Sequence, residues 1–232
     1  MTSSWRPPEV RYWFHEPRKA DPRLRTSLID TAARLLSAEG PQALSTRRIA
    51  RESGSSTMTV YTHFSGIGGL VHAMVREGFA RLEESLSSVH ATDDPVRDLA
   101  LMGRSFLDNA SRNQHLYPVM FGGCSIAGFS LSEEDRQHGR YTLRHVTACV
   151  DRCIGSGRFG PADPELVAHR LWIAMHGLTA LHLGSYLIPP YDADRCFEDQ
   201  LVSLMVGCGD SPEAARTSVT ASSGFLPSLS DT

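Results

Sequence analysis

The stretch that decides the fold is Leu44–Leu70, LSTRRIARESGSSTMTVYTHFSGIGGL, near the front of a 232-residue chain. Ser45 or Thr46 can cap a first short helix, which turns Ile49 inward. Gly54 stands where that helix must stop and turn, in a backbone conformation that costs glycine least. The stretch therefore opens with a short helix and a tight turn.

A second short helix follows the turn. Ser55 or Ser56 can cap it, and we interpret Met58, Val60 and Phe64 as its apolar points. Two short helices joined by a glycine-containing turn of about four residues make a helix-turn-helix, whose second helix enters the major groove of DNA. The pattern predicts a DNA reader.

The positions left exposed on the second helix suit contact with DNA. They are Ser56, Thr57, Thr59, Tyr61, Thr62 and His63. Hydroxyl and imidazole groups can reach phosphates, and none of the six carries a carboxylate that would repel them. For Tyr61 a second interpretation, an ordinary core aromatic, stays open, and for Phe64 we adopt the core interpretation.

Charge along the chain is uneven. The net charge is −3, but residues 1–65 hold ten basic and six acidic residues, which leaves +4 there and −7 on the remainder. A basic head on an acidic body is typical of a protein that touches phosphate at one end.

Elsewhere the chain is a succession of predicted helices, without convincing strand alternation. Three Asp-Pro pairs, at Asp21, Asp94 and Asp163, stand before apolar periodic runs and indicate helix starts. We expect helices near 94–111, 113–121, 132–155, 163–187 and 193–207 after a longer one over 68–89. The predicted fold class is all-α.

Residues 23–75 resemble the DNA-binding domain of the TetR/AcrR family of transcription regulators. The matching features are Ala32-Ala33, Leu35-Leu36, Gly40, the run 44–50, Gly54, the run 60–64 and Leu70. The resemblance implies that Thr46 and Arg47 reach phosphate and that Arg47 reads a base edge. It also implies that Ser56, Thr57 and Thr59 face the groove while Tyr61 and His63 clamp the backbone.

One position departs from the family pattern. The family usually has a lysine shortly after the phenylalanine, opening the fourth helix and contacting phosphate, but this chain has Ile67 between glycines. We therefore expect weaker DNA affinity and a shallower salt dependence than in a lysine-bearing relative.

The resemblance also divides the chain into a helix-turn-helix domain (21–67) and a helical ligand-binding and dimerisation domain (68–209). Composition predicts a flexible N-terminal extension (1–20) and a flexible tail (210–232), which is rich in Ser, Thr, Ala and Pro and offers little to bury. The extension is open to a second interpretation, as an arm that enters the minor groove. Within the third segment, Leu171–Leu178 and Leu116–Gly122 resemble a C-terminal subtype marked by Trp-x-x-x-His-Gly.

A ligand pocket in that domain would be mostly apolar with few polar anchors. The candidate lining residues are Met102, Phe106, Phe121, Tyr141, Trp172, Met175 and His176, with His176 as the polar anchor. The competing interpretation of the same residues is plain core packing. The expected effector is an apolar small molecule.

The run 171–191 contains no Asp, Glu, Lys or Arg. Such a run invites a transmembrane interpretation, but its two histidines, its glycines and its Pro-Pro ending argue against one. We interpret it as an interface helix at a homodimer seam, paired with a helix around 195–206.

Two further predictions concern chemistry. His145, Cys149 and Cys153 fall four apart on one helix face, which suits either a metal or redox site or, as we favour, small core residues. No catalytic or nucleotide-binding motif is present, so we expect neither an enzyme nor a cofactor. The odd number of cysteines and the absence of an apolar leader indicate the cytoplasm.

These observations predict a dimeric, ligand-responsive regulator, most simply a repressor, that binds a palindromic double-stranded operator and is released by its ligand. The first alternative is a DNA-binding helical protein without an effector. The second is a helical interaction protein without DNA function, which would leave Thr46, Arg47, Tyr61 and His63 unexplained.

Overall fold

A computed structural model describes residues 22–122 and 129–223, and within them every regular element is helical. The ten α-helices of this part are α1 (Pro22–Glu39), α2 (Thr46–Glu52), α3 (Thr57–Phe64), α4 (Ile67–Ser87), α5 (Pro95–Arg112), α6 (Tyr117–Met120), α7 (Glu133–Gly155), α8 (Pro164–Leu183), α9 (Ala193–Gly207) and α10 (Pro212–Thr220). A 3-10 turn, Pro41–Ala43, follows α1. The predicted all-α class is confirmed.

The first three helices form the predicted helix-turn-helix unit. The Ser45 hydroxyl caps α2 by accepting from the Arg48 amide at 3.3 Å, and the Ser56 hydroxyl caps α3 by accepting from Thr59 at 3.1 Å. Gly54 adopts φ +65°, the left-handed conformation expected at the turn. The structure therefore selects Ser45 over Thr46 and Ser56 over Ser55 as the N-cap residues.

Helix α4 joins this unit to the rest of the protein. It packs against α1 and α3 of this unit and also against α5, α6 and α7. Leu70 and Val71 are completely buried near its start, and Leu82 and Leu86 are buried near its end. One helix of 21 residues therefore contributes to both cores.

The remaining helices form a second, larger core. The side chains of Asp94 and Asp163 cap α5 and α8, each followed by proline, as the Asp-Pro pairs predicted. Asp21 lies outside the described residues. Ser132 and Asp135 form a capping box at the start of α7, which fixes where that helix begins.

Two helix lengths differ from the prediction. α6 is a single turn of four residues rather than a helix over 113–121. The residues before it form a turn instead, in which the Leu116 amide donates to the Asn113 carbonyl. α8 ends at Leu183, four residues before the predicted end at 187, and Gly184 is its C-cap.

The prediction of a flexible tail from 210 is wrong for residues 210–223. Ser211 caps α10 by accepting from the Ala214 amide at 3.2 Å, and Ala215, Ser218 and Val219 are buried against α5 and α9. The small side chains of α10 allow this close packing. The sequence does not indicate it, because the segment lacks large apolar residues. Residues 224–232 and the predicted N-terminal extension, 1–20, lie outside the described residues.

Candidate DNA-binding surface and ligand cavity

The outer face of α3 carries the polar residues that the sequence predicted for the groove. Ser56, Thr57 and Thr62 are exposed, and Tyr61 is 54% exposed, so its ring is not part of the core. The Thr62 hydroxyl donates to the Met58 carbonyl at 2.9 Å. The face is polar and free of carboxylates.

Two predicted contact residues of α3 are only partly accessible. Thr59 is half-buried, and its hydroxyl lies 2.9 Å from that of Ser56. His63 is half-buried beside Phe64, with 5.8 Å between ring centroids.

Met58 corrects the sequence analysis. It was interpreted as an inward apolar point with Val60 and Phe64, but it is 72% exposed whereas Val60 is completely buried. A residue two positions from Val60 lies about 200° around the helix, on the opposite face. Met58 therefore shares the outer face with Tyr61 and Thr62, where an apolar side chain can contact a thymine methyl group.

The two neighbouring arginines of α2 have different environments. Arg48 binds the Glu39 carboxylate through both terminal nitrogens, at 2.8 and 2.7 Å, and so braces α1 against α2. Arg47 is exposed and forms no ion pair with any part of the chain that the structure describes. Thr46 beside it is half-buried. Among the arginines of α2, Arg47 is the one without an ion pair in the described residues.

The start of α4 fits closely under α3. A Cβ atom on Gly69 would lie 1.9 Å from the Phe64 carbonyl oxygen, so only glycine allows this approach. Ile67, which occupies the lysine position of the family pattern, is half-buried against the hydrophobic core. Its side chain supports packing rather than phosphate contact.

An apolar cavity lies between α4, α5, α7, α8 and α9. Four of the seven predicted pocket residues line it: Met102, Phe106, Trp172 and Met175. The other lining residues, which sequence reasoning missed, are Leu82, Leu86, Leu99, Gly103, Thr142, Leu143, Val146, Leu171 and Leu201. The cavity volume is about 40 Å³, and none of the lining side chains is charged.

His176 and Phe121 lie beside this cavity in an aromatic cluster. The His176 ring is 4.3 Å from Phe121, 5.0 Å from Trp172 and 5.2 Å from Phe106, measured between centroids. Tyr117, which the sequence analysis did not single out, places its hydroxyl 2.6 Å from His176 Nδ1. Burial lowers the pKa of His176 to about 4, so its ring is neutral at physiological pH.

Tyr141 does not line the cavity, contrary to expectation. It is 55% exposed, and its ring lies under the Arg144 guanidinium at 3.7 Å. The next residue, Thr142, lines the cavity instead, because one helical step turns a side chain by about 100°.

The side chains of His145, Cys149 and Cys153 contact different groups. His145 Nε2 lies 2.8 Å from a Glu83 oxygen, whereas the Cys149 thiol donates to the Pro95 carbonyl at 3.3 Å. A hydrogen bond with Cys149, together with burial, raises the pKa of Cys153. Across 22–122 and 129–223 no three His, Cys, Asp or Glu residues are grouped as metal ligands would be.

An unpartnered apolar stripe runs along α8. Leu166, Ile173 and Leu181 are 61%, 67% and 47% exposed. Spacings of seven and eight residues place these side chains on one face of the helix. Tyr186, Ile188 and Tyr191 continue this apolar surface in the segment after α8. In the described segments, no helix combines the length and the apolarity that a membrane crossing requires.

Two family models match the chain, and each corresponds to one of the two parts of the fold described above. Residues 28–74 match the model of bacterial regulatory proteins of the tetR family, and residues 99–204 match that of the tetracyclin repressor-like C-terminal domain. The chain belongs to the TetR family. TetR-family proteins are transcription regulators that bind DNA through a helix-turn-helix.

Solved structures of other proteins share the fold. A protein of unknown function from Rhodococcus sp. RHA1 aligns with a TM-score of 0.68 and 21% identity, over 87% of this chain and all of its own. The TetR family regulator PfmR from Thermus thermophilus aligns with a TM-score of 0.59 and 18% identity, over 87% of this chain and 99% of its own.

A third structure carries ligands. AibR in complex with isovaleryl coenzyme A and operator DNA aligns with a TM-score of 0.59 and 17% identity, over 76% of this chain and 95% of its own. Because these three structures share no more than 21% sequence identity with this chain, the similarity shows a common fold only. No curated protein sequence matches the chain significantly.

Proposed function

We propose that this TetR-family protein is a repressor that binds a palindromic operator as a homodimer and is released by an apolar small molecule. The observation that carries the proposal is the course of α4. Its Gly69 touches α3, and its Leu82 and Leu86 line the cavity. Thirteen residues of helix, about 20 Å, join the two places.

The DNA-binding residues proposed are Thr46, Arg47, Ser56, Thr57, Thr59, Tyr61, Thr62 and His63, and we add Met58. Two observations support this set: the exposed face of α3 carries no carboxylate side chain, and Arg47 has no ion pair in the described residues. Phosphate contacts would position the protein, and Arg47 would discriminate bases.

The homodimer is supported by the apolar stripe of α8. Two copies that meet along Leu166, Ile173 and Leu181 would remove these side chains from water, which favours association. A two-fold axis between them would place the two α3 helices about 34 Å, or a multiple, apart, to match half-sites on one side of the duplex.

We propose that the effector binds the cavity lined by Met102, Phe106, Trp172 and Met175, with Phe121 and His176 beside it. We also propose that the C-terminal half is of the Trp-x-x-x-His-Gly type, supported by the contact of Trp172 with His176. A ligand that widens the cavity would displace α4 and so draw the dimer away from the DNA-competent arrangement. Such a regulator would act in the cytoplasm and perform no catalysis.

The test begins by selecting bound sequences from random duplexes with purified full-length protein. We expect an inverted repeat, bound with an affinity that falls steeply with salt. Arg47→Ala should weaken that binding about ten- to hundred-fold, the range for one bidentate arginine–guanine contact. Arg51→Ala, which changes a 73% exposed arginine of the same helix, is the matched control.

Failure to prefer any inverted repeat over random duplex at physiological salt would overturn the DNA assignment. A screen of metabolites for release of the selected duplex then tests the effector. If no small molecule changes operator affinity, the alternative of an effector-free DNA-binding protein replaces the repressor.

A further inference from the structure

One nitrogen of the half-buried His176 ring has no hydrogen-bond partner among the described residues. The Tyr117 hydroxyl lies 2.6 Å from Nδ1. Because a phenol is a stronger donor than a neutral imidazole N–H, we assign Tyr117 as the donor, which places the ring hydrogen on Nε2. Nε2 is buried and has no hydrogen-bond partner in the part of the chain that the structure describes. Buried polar groups normally have partners, so this one calls for an acceptor from outside the chain.

The donor belongs to the aromatic cluster beside the cavity. The two ring nitrogens of histidine point in different directions, and Nδ1 faces Tyr117. Nε2 is therefore on the side of the ring away from Tyr117, and two rings packed against His176, Phe106 and Trp172, line the cavity. His176 is not itself a lining residue, so a ligand would reach Nε2 by opening the cavity wall at Phe106 and Trp172.

The surroundings define the charge of that ligand. None of the side chains lining the cavity is charged. Burial lowers the pKa of His176 to about 4, so the ring offers a neutral N–H and not a cation at pH 7. A carboxylate or phosphate entering this cavity would lose its hydration without gaining an ion pair, which is strongly unfavourable.

We propose that the effector is a small neutral molecule, apolar over most of its surface, with one oxygen that accepts a hydrogen bond from His176 Nε2. Aryl ketones, ethers and lactones belong to this class. The inference rests on the proposed function, because it takes the cavity as the effector site. A site with a buried donor discriminates strongly against an analogue that lacks the acceptor.

The cavity must widen to admit such a molecule. Its volume of about 40 Å³ holds a few water molecules at most. Met102 and Met175 form part of the wall, and methionine side chains adapt readily to new shapes. Binding would therefore favour a more open arrangement of α5 and α8, in keeping with release from DNA.

The experiment compares three probes on full-length protein: acetophenone, its hydrocarbon analogue isopropenylbenzene, and benzoate. We expect acetophenone to bind at least ten-fold more tightly than the hydrocarbon and benzoate not to bind. In His176→Phe, which keeps a ring but removes the donor, this preference should disappear. His169→Gln, an exposed histidine two turns earlier on α8, should keep it.

Nitrogen-15 NMR of the histidine rings supplies a measurement that needs no variant. We expect His176 to carry its hydrogen on Nε2, and that signal to move when acetophenone is added. The proposal is overturned by a hydrogen on Nδ1, by equal binding of the hydrocarbon, by tighter binding of benzoate, by a preference that survives in His176→Phe, or by no binding of any probe. Operator binding by the same sample would separate each of these failures from failure of the DNA assignment.

Discussion

The buried Asp135 carboxylate of α7 accepts a hydrogen bond from the His72 ring of α4, with 2.7 Å between Oδ2 and Nδ1. The same oxygen accepts from the Ser132 amide at 2.9 Å and from the Ser132 hydroxyl at 2.7 Å. His72 stands three residues after Gly69, where α4 touches α3. This contact fastens the end of α4 that touches α3 to α7.

Replacing Asp135 with asparagine should lower the free energy of unfolding at pH 7 by about 2 kcal/mol, because a buried charge-assisted network is lost. Burial alone would raise the pKa of Asp135, but hydrogen bonds from Ser132 and His72 outweigh it and hold the pKa below its ordinary value. A carboxyl with a depressed pKa stabilises the fold fully above its ordinary pKa and loses this effect as the pH falls below it.

Urea unfolding of wild type and Asp135→Asn from pH 7 to pH 3 measures this effect. The gap between the two proteins should be constant from pH 7 to pH 5 and should narrow below pH 4. Glu134→Gln, at the exposed neighbouring position, is the control and should change little. A gap independent of pH down to pH 3 would contradict the assigned role of the carboxylate.

Adjacent glycines at the start of α4 should respond oppositely to alanine. Gly69→Ala should destabilise the protein by about 3 kcal/mol, since its Cβ would overlap the Phe64 carbonyl oxygen. Gly68→Ala should stabilise it by about 0.5–1 kcal/mol, because nothing lies within 4 Å of its Cβ and alanine favours helix. Thermal unfolding of both variants is the measurement, and a tolerant Gly69 would disprove the close approach of α3 and α4.

The segment after α9 should contribute to stability despite its small side chains. Asp210 binds the Arg158 guanidinium through two hydrogen bonds, at 2.8 and 2.7 Å, and its side chain is only 3% exposed. Asp210→Asn should cost about 2 kcal/mol, with Asp94 still pairing Arg158 and limiting the loss. Urea unfolding checks this, with the exposed Asp199→Asn as control; equal stability of the two variants would show the pairing to be unimportant.

Ile173→Arg should abolish the proposed dimer. The new charge would lie in the middle of the apolar stripe of α8, where it would have to be buried on association. Sedimentation velocity at micromolar concentration gives the oligomeric state. Tyr141→Arg, at a 55% exposed position on α7, is the matched control and should remain dimeric. An Ile173→Arg protein that still sediments as a dimer would place the interface elsewhere.

Local chemistry carried much of the sequence interpretation. Helix starts at Asp94 and Asp163 and the turn at Gly54 depend on residues within three or four positions, so they could be read directly. The helix face on which a side chain lies was harder to predict. Met58 and Tyr141 were each assigned to the wrong face, because a single apolar or aromatic residue in a helix does not show which side has a neighbour.

The cavity was predictable only in part, for a similar reason. Met102, Phe106, Trp172 and Met175 were found as large apolar residues on two helices. Leu82 and Leu86 of α4 and Leu201 of α9 were missed, since nothing in the sequence shows that these helices converge there. The same applies to Tyr117, whose partner His176 is 59 residues away.

The sequence by itself determined most of the helices, the caps at Asp94 and Asp163 and the family, because these follow from hydrogen bonds and periodicity over a few residues. Tertiary structure alone decided which ring nitrogen of His176 lacks a partner, which arginine of α2 has no ion pair in the described residues, and that α10 packs against the body. Those outcomes depend on which surfaces distant helices bury together, and burial is a property of the assembled fold and not of any local stretch.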